Sequence, residues 1–329
     1  MRAPAFWARP GSPLAVVLAP LGALYGAVAA RRMARRGASA PVPVVCVGNF
    51  VAGGAGKTPT ALAVAALLAR DLRRPVFLTR GYGGSLRAPT LVDLARHAPS
   101  ETGDEARLLA AAFPTVVSPD RPAGARLAGG QGDVIVMDDG LQNPSLAKDA
   151  SLAVVDAGAG LGNGLCLPAG PLRAPLAAQA RQVDAVVLVG EGVVPAVERL
   201  GLPLLRARLR PDEAAAARLK GRKALAFAGI GRPEKFFETL REAGAELAAT
   251  RSFADHKPYD LSTLEALRRE AGSLGATLVT TEKDMARMRG ALPPEALEGI
   301  DTLPVTLAFD DERALLALLR RKLGVRPSA

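Results

Sequence analysis

A glycine-rich turn near the start of the chain carries residue types that bind phosphate. It follows the apolar residues 44–47 and ends in Lys57 and Thr58, ahead of an Ala/Leu-rich segment. Backbone N–H groups in such a turn point inward at the positive end of a helix dipole, where they bind phosphate. The lysine would reach the terminal phosphates of a nucleotide, and the threonine hydroxyl would hold Mg²⁺. The candidate nucleotide-binding residues are Gly53, Gly54, Ala55, Gly56, Lys57, Thr58 and Pro59.

One position departs from the usual nucleotide-binding pattern G-x-x-x-x-G-K-[ST]. Val51 stands where the first glycine belongs, although the glycines at 53, 54 and 56 supply the same backbone freedom. An ordinary glycine-rich turn between a strand and a helix is the alternative interpretation. Gly-Lys-Thr between an apolar strand and a helix favours a phosphate loop.

A second apolar segment ends in two acids, as a phosphate-loop protein requires for Mg²⁺. Residues 134–137 are apolar and precede Asp138 and Asp139. Ligands bind at the carboxyl ends of strands in α/β sheets, so these carboxylates would face the nucleotide. A turn or helix cap after a strand is the simpler alternative. The accompanying Gly-Lys-Thr favours the metal role.

Asp104 and Glu105 form an acidic pair at or near the predicted start of a helix. Acids in a first helical turn often serve only as partners of the helix dipole. The functional alternative is a general base, or a contact to metal-bound water, at the edge of the nucleotide site. The sequence by itself leaves both interpretations open.

Two loops carry a histidine and an arginine that suit a functional site. His256 stands in an Asp-His-Lys-Pro sequence between a predicted strand and a predicted helix, a setting typical of site loops. A structural histidine bonded to the backbone is the alternative. Arg173 ends a loop framed by prolines and glycine, and its guanidinium would bind phosphate.

The composition narrows the class of protein. The 329 residues are enough for two domains, and 49% hydrophobic with 22% charged residues is typical of a globular chain. The net charge of +10 suits an anionic partner, although a solvated arginine-rich surface would give the same excess. An aromatic content of 4% and no recognisable base-reading motif argue against nucleic acid. Cys46 and Cys166 have no metal-ligand spacing and fit a reducing compartment.

Residues 13–30 contain no charged side chain and precede Arg31, Arg32, Arg35 and Arg36. As a helix, this segment would span about 27 Å, close to the thickness of a hydrocarbon core. A cleaved signal peptide, a weak membrane-spanning helix and a buried core helix are three interpretations of this pattern. A helix on the membrane surface, with its arginines at anionic headgroups, fits best, because export would separate the phosphate loop from ATP.

Strands and helices alternate through the rest of the chain, which predicts parallel or mixed sheets covered by helices. The predicted fold class is α/β: a P-loop NTPase-like sheet with helices on both faces, a smaller α/β C-terminal domain and an N-terminal membrane-associated helix. The predicted units are 1–36 (helix and basic cluster), 37–217 (phosphate-loop core) and 218–329 (C-terminal domain). Predicted strands include 43–47, 75–79, 133–137, 224–228, 277–280 and 301–307, and predicted helices include 57–70, 102–112, 232–244, 261–272, 282–289 and 312–323.

Taken in order, the motifs resemble those of one family, the tetraacyldisaccharide 4'-kinases (lipid A 4'-kinases) of Gram-negative bacteria. That family also lacks the first glycine of the usual phosphate loop, which accounts for Val51. The resemblance covers nearly the whole chain, and the ordered set is more specific than any single motif. The motifs are 48–49 with 53–59 (GN and GGAGKTP), 79–84 (TRGYGG), 103–105 (GDE), 138–142 (DDGLQ), 167–173 (LPAGPLR), 229–233 (GIGRP), 255–256 (DH) and 281–284 (TEKD).

The resemblance implies transfer of the γ-phosphate of ATP to the 4'-hydroxyl of a lipid-linked disaccharide 1-phosphate, which forms lipid IVA, the bis-phosphorylated lipid A precursor. It implies ATP and Mg²⁺ as cofactors. It also implies an N-terminal helix that docks on anionic lipids at the cytoplasmic face of the inner membrane. We expect a monomer and no nucleic-acid partner.

The same resemblance assigns roles to individual residues. It implies that Asp104 is the catalytic base and that His256 supports it as a dyad. Lys57 and Thr58 are the implied ligands of phosphate and Mg²⁺. The further implied residues are Asp138, Asp139 and Glu105 around the metal, and Arg80, Tyr82, Arg121 and Arg173 at the substrate or its phosphates.

Two positions depart from the family pattern. Ala174 stands where the family often has glutamate, which leaves a detail of the metal site open, and Ala106 stands where proline is usual. The alternative function is a non-kinase P-loop ATPase of the partitioning or metallocentre-assembly type. Such a protein would share the phosphate loop and the acidic strand end. It would need neither Asp104 and His256 nor a lipid-binding helix.

Overall fold

The computed structural model describes residues 4–54, 56–254 and 257–324. The strands are β1 (Val44–Asn49), β2 (Pro75–Thr79), β3 (Thr90–Leu91), β4 (Thr115–Val117), β5 (Val134–Asp138), β6 (Ala150–Asp156), β7 (Ala185–Val189), β8 (Leu204–Pro211), β9 (Lys223–Ala228), β10 (Glu246–Ser252), β11 (Thr277–Thr280), β12 (Ile300–Thr302) and β13 (Val305–Phe309). The helices are α1 (Pro13–Met33), α2 (Lys57–Arg70), α3 (Pro99–Thr102), α4 (Asp104–Ala110), α5 (Arg121–Gly129), α6 (Leu176–Ala180), α7 (Pro195–Glu198), α8 (Glu213–Leu219), α9 (Pro233–Glu242), α10 (Leu261–Leu274), α11 (Glu282–Met288) and α12 (Glu312–Leu323).

Nine strands of the described chain form one large sheet, in the order β13-β8-β7-β6-β1-β5-β2-β4-β3. Neighbouring strands are parallel except at the two edges, where β13 and β3 run antiparallel to their partners. Every residue of β1 is buried, because helices cover both faces of the sheet. Val45 and Val47 pack toward α2 and α12, whereas Val44 and Cys46 pack toward α5. The predicted α/β class is confirmed.

After β1, the chain adds strands to the sheet first on one side of β1 and later on the other side. β2, β4 and β5 lie on one side of β1, and β6, β7 and β8 lie on the other. Where strand order reverses in this way, a crevice opens at the carboxyl ends of the strands. β1 ends at Asn49 and β5 ends at Asp138, so the phosphate loop and the acidic pair meet at this crevice.

A second sheet has the order β10-β9-β11-β12 and is parallel throughout. The helices α8 and α9 pack on one face, and α10 and α11 pack on the other. This sheet and its helices form the smaller α/β unit that the sequence predicts after the core.

The end of the described chain returns to the large sheet, which the sequence analysis did not predict. The single strand expected at 301–307 is two strands, β12 and β13, separated by Leu303 and Pro304. Proline lacks the N–H donor that a longer strand would use there. β13 pairs with β8, and Leu315 and Leu319 of α12 pack in the core beside α2. The expected C-terminal unit 218–329 therefore differs from the structure for residues 305–323.

The helix expected at 102–112 is interrupted at Gly103. The short α3 ends at Thr102, and Gly103, with a φ angle of +85°, separates it from α4. A side chain at position 103 would collide with the carbonyl oxygen of Tyr82, so glycine is required there. As a result, Asp104 and Glu105 begin α4 and stand in its first turn.

Helix α1 is long and apolar enough to cross a membrane. Only 17% of its most apolar window is buried, which argues against a buried core helix. Gly22 and Gly26 are buried on the side that contacts the rest of the chain. The exposed apolar residues of the helix are Leu14, Val16, Val17, Leu21, Leu24, Tyr25 and Val28.

Candidate nucleotide and phosphoryl-transfer site

The phosphate loop connects β1 to α2 and has the backbone shape that its glycines permit. Gly53 and Gly56 have φ angles of +112° and +82°, which side-chain-bearing residues rarely adopt. Asn49, the last residue of β1, donates from Nδ2 to Gly53 O at 3.0 Å. No described atom beyond the chain neighbours lies within 4 Å of a Cβ built at Gly53 or Gly54, so the loop has an open surface. The predicted Ala55 lies outside the described residues.

The first turn of α2 supplies the charged and hydroxyl groups of the loop. It contains Lys57, Thr58 and Pro59. The N–H groups of a first helical turn have no partners within the helix, so the missing N–H of Pro59 costs no hydrogen bond. Lys57 Nζ donates to Gly53 O at 3.3 Å and lies 3.8 Å from Asp139 Oδ1. The ammonium group thus lies beside the loop, where phosphate oxygens would bind.

Asp138 is a buried carboxylate beside the threonine of the loop. It is 1% exposed, and its Oδ2 accepts from Thr58 Oγ1 at 3.3 Å. Its Oδ1 is buried without a hydrogen-bond partner in the described ranges. Burial, together with the charges of Glu105 and Asp139, raises the pKa of Asp138 to about 7. A carboxylate with an unused oxygen, next to a hydroxyl, fits a hard cation such as Mg²⁺.

Asp139 has a different environment although it is the next residue. Its φ angle is +53°, an uncommon value for a residue other than glycine. Its carboxylate accepts two hydrogen bonds from Arg173, at 2.8 Å from Nη1 and 3.2 Å from Nη2. Burial opposes ionisation, but Lys57 and Arg173 outweigh it, so the pKa of Asp139 is lowered. Asp139 is therefore an ionised partner of two cations.

Arg173 also binds the segment that leads into the phosphate loop. Its Nε donates to Val51 O at 3.1 Å, and its backbone N–H donates to Phe50 O at 3.0 Å. A single side chain therefore connects Asp139 to residues 50–51. Arg173 thus contacts Asp139 and the phosphate-loop segment, and its contact with substrate or phosphate stays a prediction.

Two glutamines that the sequence analysis did not select as site residues continue this network. Gln142 Nε2 donates to Asn49 O and to Gln179 Oε1, both at 2.7 Å. Gln179, which is fully buried, donates from Nε2 to Phe50 O at 3.0 Å and also to Ala174 O. Buried amides that satisfy backbone carbonyls fix local geometry. Gln142 ends the motif 138–142, whereas for Gln179 the sequence shows no more than a polar residue in the apolar segment of α6.

Asp104 and Glu105 face the smaller unit. Arg287 Nε donates to Asp104 Oδ2 at 2.7 Å, and Lys283 Nζ donates to Glu105 Oε1 at 3.1 Å. The side chains of Arg287 and Asp104 are 7% and 12% exposed, so water screens this pair only weakly. The acids at the start of α4 thus bind cations of α11 as well as the helix dipole. Arg287 is a residue of this site that the sequence analysis missed.

Arg287 is itself held by fixed partners. Its Nη1 donates to Asp284 Oδ1 at 2.9 Å and to Lys257 O at 3.3 Å. The fully buried Asp284 also accepts from the hydroxyl of Tyr259, and burial with the charge of Asp284 raises the pKa of Tyr259, which keeps this hydroxyl a donor. The predicted His256 lies outside the described residues, next to Lys257.

The predicted Arg121 is buried rather than exposed to a substrate. It begins α5, is 2% exposed, and donates from Nη1 to Ser118 O at 3.2 Å. Its Nε has no hydrogen-bond partner in the part of the chain that the structure describes. Burial lowers the pKa of Arg121, and the charges of Cys46 and then Asp138 oppose this effect. The Arg121 guanidinium is therefore buried beside Ser118, and a contact with substrate or phosphate stays a prediction.

Arg80 and Tyr82 line an open cavity beside the site. The cavity has a volume of about 320 Å³ and contains two arginines. The two arginines suit an anionic group, and the glycines, which have no side chains, leave space for it. The complete lining is Arg80, Gly81, Tyr82, Gly83, Gly84, Arg87 and Pro119.

A further ion-pair cluster joins the two units at the end of β6. Asp156 lies 2.8 Å from Arg232 Nη1 and also pairs with Lys235 of α9. Burial opposes ionisation of Asp156, but Lys235 and Arg232 outweigh it and lower the pKa of Asp156. The smaller unit therefore contributes cations at two places around the crevice.

A phosphate loop at the strand-order reversal, with a buried aspartate beside its threonine, is the arrangement by which P-loop enzymes hold a nucleotide and its metal. The fold and the site define the chain as a member of that class. Within the class, the family model described as Tetraacyldisaccharide-1-P 4'-kinase matches residues 14–324. The chain belongs to the tetraacyldisaccharide-1-P 4'-kinase family.

Relatives and a solved structure are similar over almost their full lengths. A tetraacyldisaccharide 4'-kinase of Methylobacterium sp. (strain 4-46) is 59% identical over 337 residues, covering 98% of this chain and 100% of the relative. That of Rhodopseudomonas palustris (strain BisB18) is 54% identical, covering 98% and 96%. The crystal structure of LpxK from Aquifex aeolicus in complex with ATP has a TM-score of 0.72 at 26% identity, covering 94% of this chain and 99% of that one.

Replacing Arg173 with lysine tests whether its fork of donors shapes the phosphate loop. The change keeps the charge but removes the two-point contact to Asp139 and the bond to Val51 O. Because lysine cannot reproduce a planar fork, we expect the Kd for ATP to rise about tenfold. Titration with a fluorescent ATP analogue measures the change, and Arg126→Lys, at an exposed arginine, is the control. Equal affinities for Arg173→Lys and wild type would contradict this role.

Proposed function

We propose that this site transfers the γ-phosphate of ATP to the 4'-hydroxyl of a tetraacyldisaccharide 1-phosphate, which forms lipid IVA. The chain is an ATP-dependent kinase of lipid A biosynthesis, as its family and relatives indicate. The observation that carries the assignment to this site is the hydrogen bond of Thr58 Oγ1, in the phosphate loop, to the buried Asp138 at the end of β5, at 3.3 Å. A non-kinase P-loop ATPase is not favoured.

The reaction depends on alignment and charge more than on covalent chemistry. A sugar hydroxyl is a weak nucleophile, so transfer requires in-line placement, offset of phosphoryl charge and late removal of one proton. Loop amides and Lys57 would bind the phosphate oxygens and offset their charge. Asp104 would accept the proton of the 4'-hydroxyl, and Arg287 holds its carboxylate in place. His256 would support Asp104, as the family resemblance implies.

Thr58 and Asp138 would hold Mg²⁺, with Asp139 and Glu105 as nearby acids. The buried Oδ1 of Asp138 is the oxygen available for this purpose. The described ranges contain no cluster of three or more His, Cys, Asp or Glu side chains that could bind a metal by themselves. Phosphate oxygens and water would therefore complete the coordination, as is usual for Mg²⁺ at nucleotide sites. When bound, the ion supplies positive charge to the transferred phosphoryl group.

Asp104→Asn tests the catalytic base. Asparagine has the same size but cannot take a proton, so we expect kcat to fall at least about 100-fold, with the Kd for ATP changed less than about threefold. Thin-layer separation of the products from labelled ATP and detergent-dispersed acceptor gives the rates, and Asp310→Asn, at an exposed acid, is the control. An unchanged kcat would exclude Asp104 as the base. Wild-type protein that labels no lipid would contradict the reaction itself.

The raised pKa of Asp138 predicts a pH-dependent affinity for Mg²⁺. Without a cation this carboxyl titrates at about 7, so it is protonated below that pH and ionised above it. Mg²⁺ must displace the proton of Asp138. We therefore expect the Kd for Mg²⁺ of the ADP complex to rise about tenfold per pH unit below neutrality and to stay constant above it. Calorimetric titrations at several pH values measure this Kd. Asp138→Asn, with the same nucleotide, should bind Mg²⁺ weakly without this dependence; an identical pH profile would contradict the assignment.

We further propose that α1 lies at the cytoplasmic surface of the inner membrane. The acceptor has acyl chains, so its sugar lies at headgroup level, where the enzyme must meet it. The exposed apolar side of α1 would enter the acyl boundary, and the arginines that follow would contact anionic headgroups. The basic cavity lined by Arg80 and Tyr82 would accept an anionic part of the acceptor. One chain contains all these parts, and we expect a monomer.

Two substitutions on the exposed side of α1 test the membrane contact. Val17→Asn with Leu24→Asn removes apolar area that the bilayer would bury, and we expect vesicle binding to weaken at least about tenfold. Flotation with vesicles containing anionic phospholipid measures the bound fraction. The control is the matched pair Val193→Asn with Leu261→Asn, which are exposed residues outside α1. Equal binding of the two double variants would contradict a membrane contact through α1.

A further inference from the structure

The buried side of α1 packs against a loop from the middle of the chain. We call residues 163–173 the bracing loop. A Cβ atom at Gly22 would lie 2.8 Å from Cys166 O and 3.1 Å from Ala169 Cβ, and one at Gly26 would lie 2.9 Å from Cys166 Sγ. These distances are too short for a side chain, so the helix approaches the loop as closely as its backbone allows. At Gly22 the close atom is a backbone carbonyl oxygen, so an added methyl group there requires the helix or the loop to shift.

A second contact attaches the start of the described chain to the same loop. Trp7 Nε1 donates to Pro168 O at 3.0 Å, and the backbone N–H of Asn163 donates to Trp7 O at 2.7 Å. Inside the loop, Asn163 Nδ2 donates to Ala169 O at 2.9 Å. The bracing loop is thus internally bonded and is contacted both by α1 and by the segment that precedes it.

The end of the bracing loop, residues 171–173, contacts residues 50–52, which lead into the phosphate loop. Ala52 N–H donates to Pro171 O at 2.7 Å, and Val51 forms an antiparallel bridge with Leu172. Arg173 N–H donates to Phe50 O at 3.0 Å. These contacts fall on three successive residues, and the next residue is Gly53, where the left-handed turn of the phosphate loop begins.

We propose that α1 is a positioning element for ATP binding in addition to its membrane role. Contact of α1 with the bracing loop fixes residues 50–52, and these residues set the backbone direction of the phosphate loop. The inference rests on the proposed binding of ATP at this loop. Because coupling between two binding events is reciprocal, ATP must also strengthen the contact between α1 and the bracing loop by the same factor. An anchor that only attached the protein to lipid would show neither effect.

Gly22→Ala is the sharpest test. It adds one methyl group that meets the carbonyl of Cys166, and it replaces glycine with a better helix former, so α1 itself is strengthened. In detergent solution, without vesicles or acceptor, we expect the Kd for a fluorescent ATP analogue to rise about fivefold or more. Ala27→Val, which adds bulk at an exposed position of the same helix, should leave the Kd unchanged.

The outcomes separate this inference from the proposed function. Equal Kd values for Gly22→Ala and wild type would overturn the positioning role while ATP binding stands. An equal rise for Ala27→Val would also overturn it, because the effect would then not depend on the contact with the bracing loop. Wild-type protein that binds no ATP would instead overturn the proposed function.

A measurement on wild-type protein avoids any dependence on how well a variant folds. Hydrogen exchange is followed in detergent solution with and without a saturating, non-hydrolysable ATP analogue. We expect slower exchange in the bracing loop and at the amides of α1 around Gly22 and Gly26, together with the protection of the phosphate loop itself. Protection confined to the phosphate loop, with no change in α1 or the bracing loop, would overturn the inference.

Discussion

The hydrogen-bonded ion pair between Arg173 and Asp139 connects three segments that lie far apart in the sequence. Asp139 follows β5, Arg173 ends the bracing loop, and the same guanidinium donates to Val51 O ahead of the phosphate loop. The two side chains are 24% and 34% exposed, so water screens the pair in part and its contribution to the free energy of unfolding is modest. Its main effect is geometric, because a bidentate contact fixes both the distance and the plane of the two groups.

The valine at position 51 gains a physical explanation from these contacts. A loop with glycines at 53, 54 and 56 loses much conformational entropy when it is ordered, about 1–2 kcal/mol per residue. Val51 takes an extended conformation and pairs with Leu172, and β-branched residues favour such a strand-like position. A glycine there would hold the pairing less firmly. The valine that replaces the usual glycine is thus held by its pairing with Leu172 of the bracing loop.

The parts of the site that the sequence predicts are those with a local pattern. Lys57 and Asp138 follow apolar strands, and strand ends of a parallel sheet meet at one edge, so their proximity follows from periodicity alone. Arg287 and Gln179 carry no such pattern, because the partner of each is distant in sequence, as Asp104 is from Arg287. The return of β13 to the large sheet is a similar case, because a break at Pro304 does not indicate which sheet the next strand joins.

The charged side chains around the crevice differ in whether they have a partner of opposite charge. Four acids at this edge are ion-paired with arginine or lysine: Asp104, Glu105, Asp139 and Asp156. These pairs let carboxylates stand next to a triphosphate without strong repulsion. Asp138 forms no ion pair in the described part of the chain, keeps one buried oxygen without a hydrogen bond, and has its pKa raised by burial. A cation bound beside this oxygen and the Thr58 hydroxyl would therefore favour the ionised form of Asp138 at neutral pH.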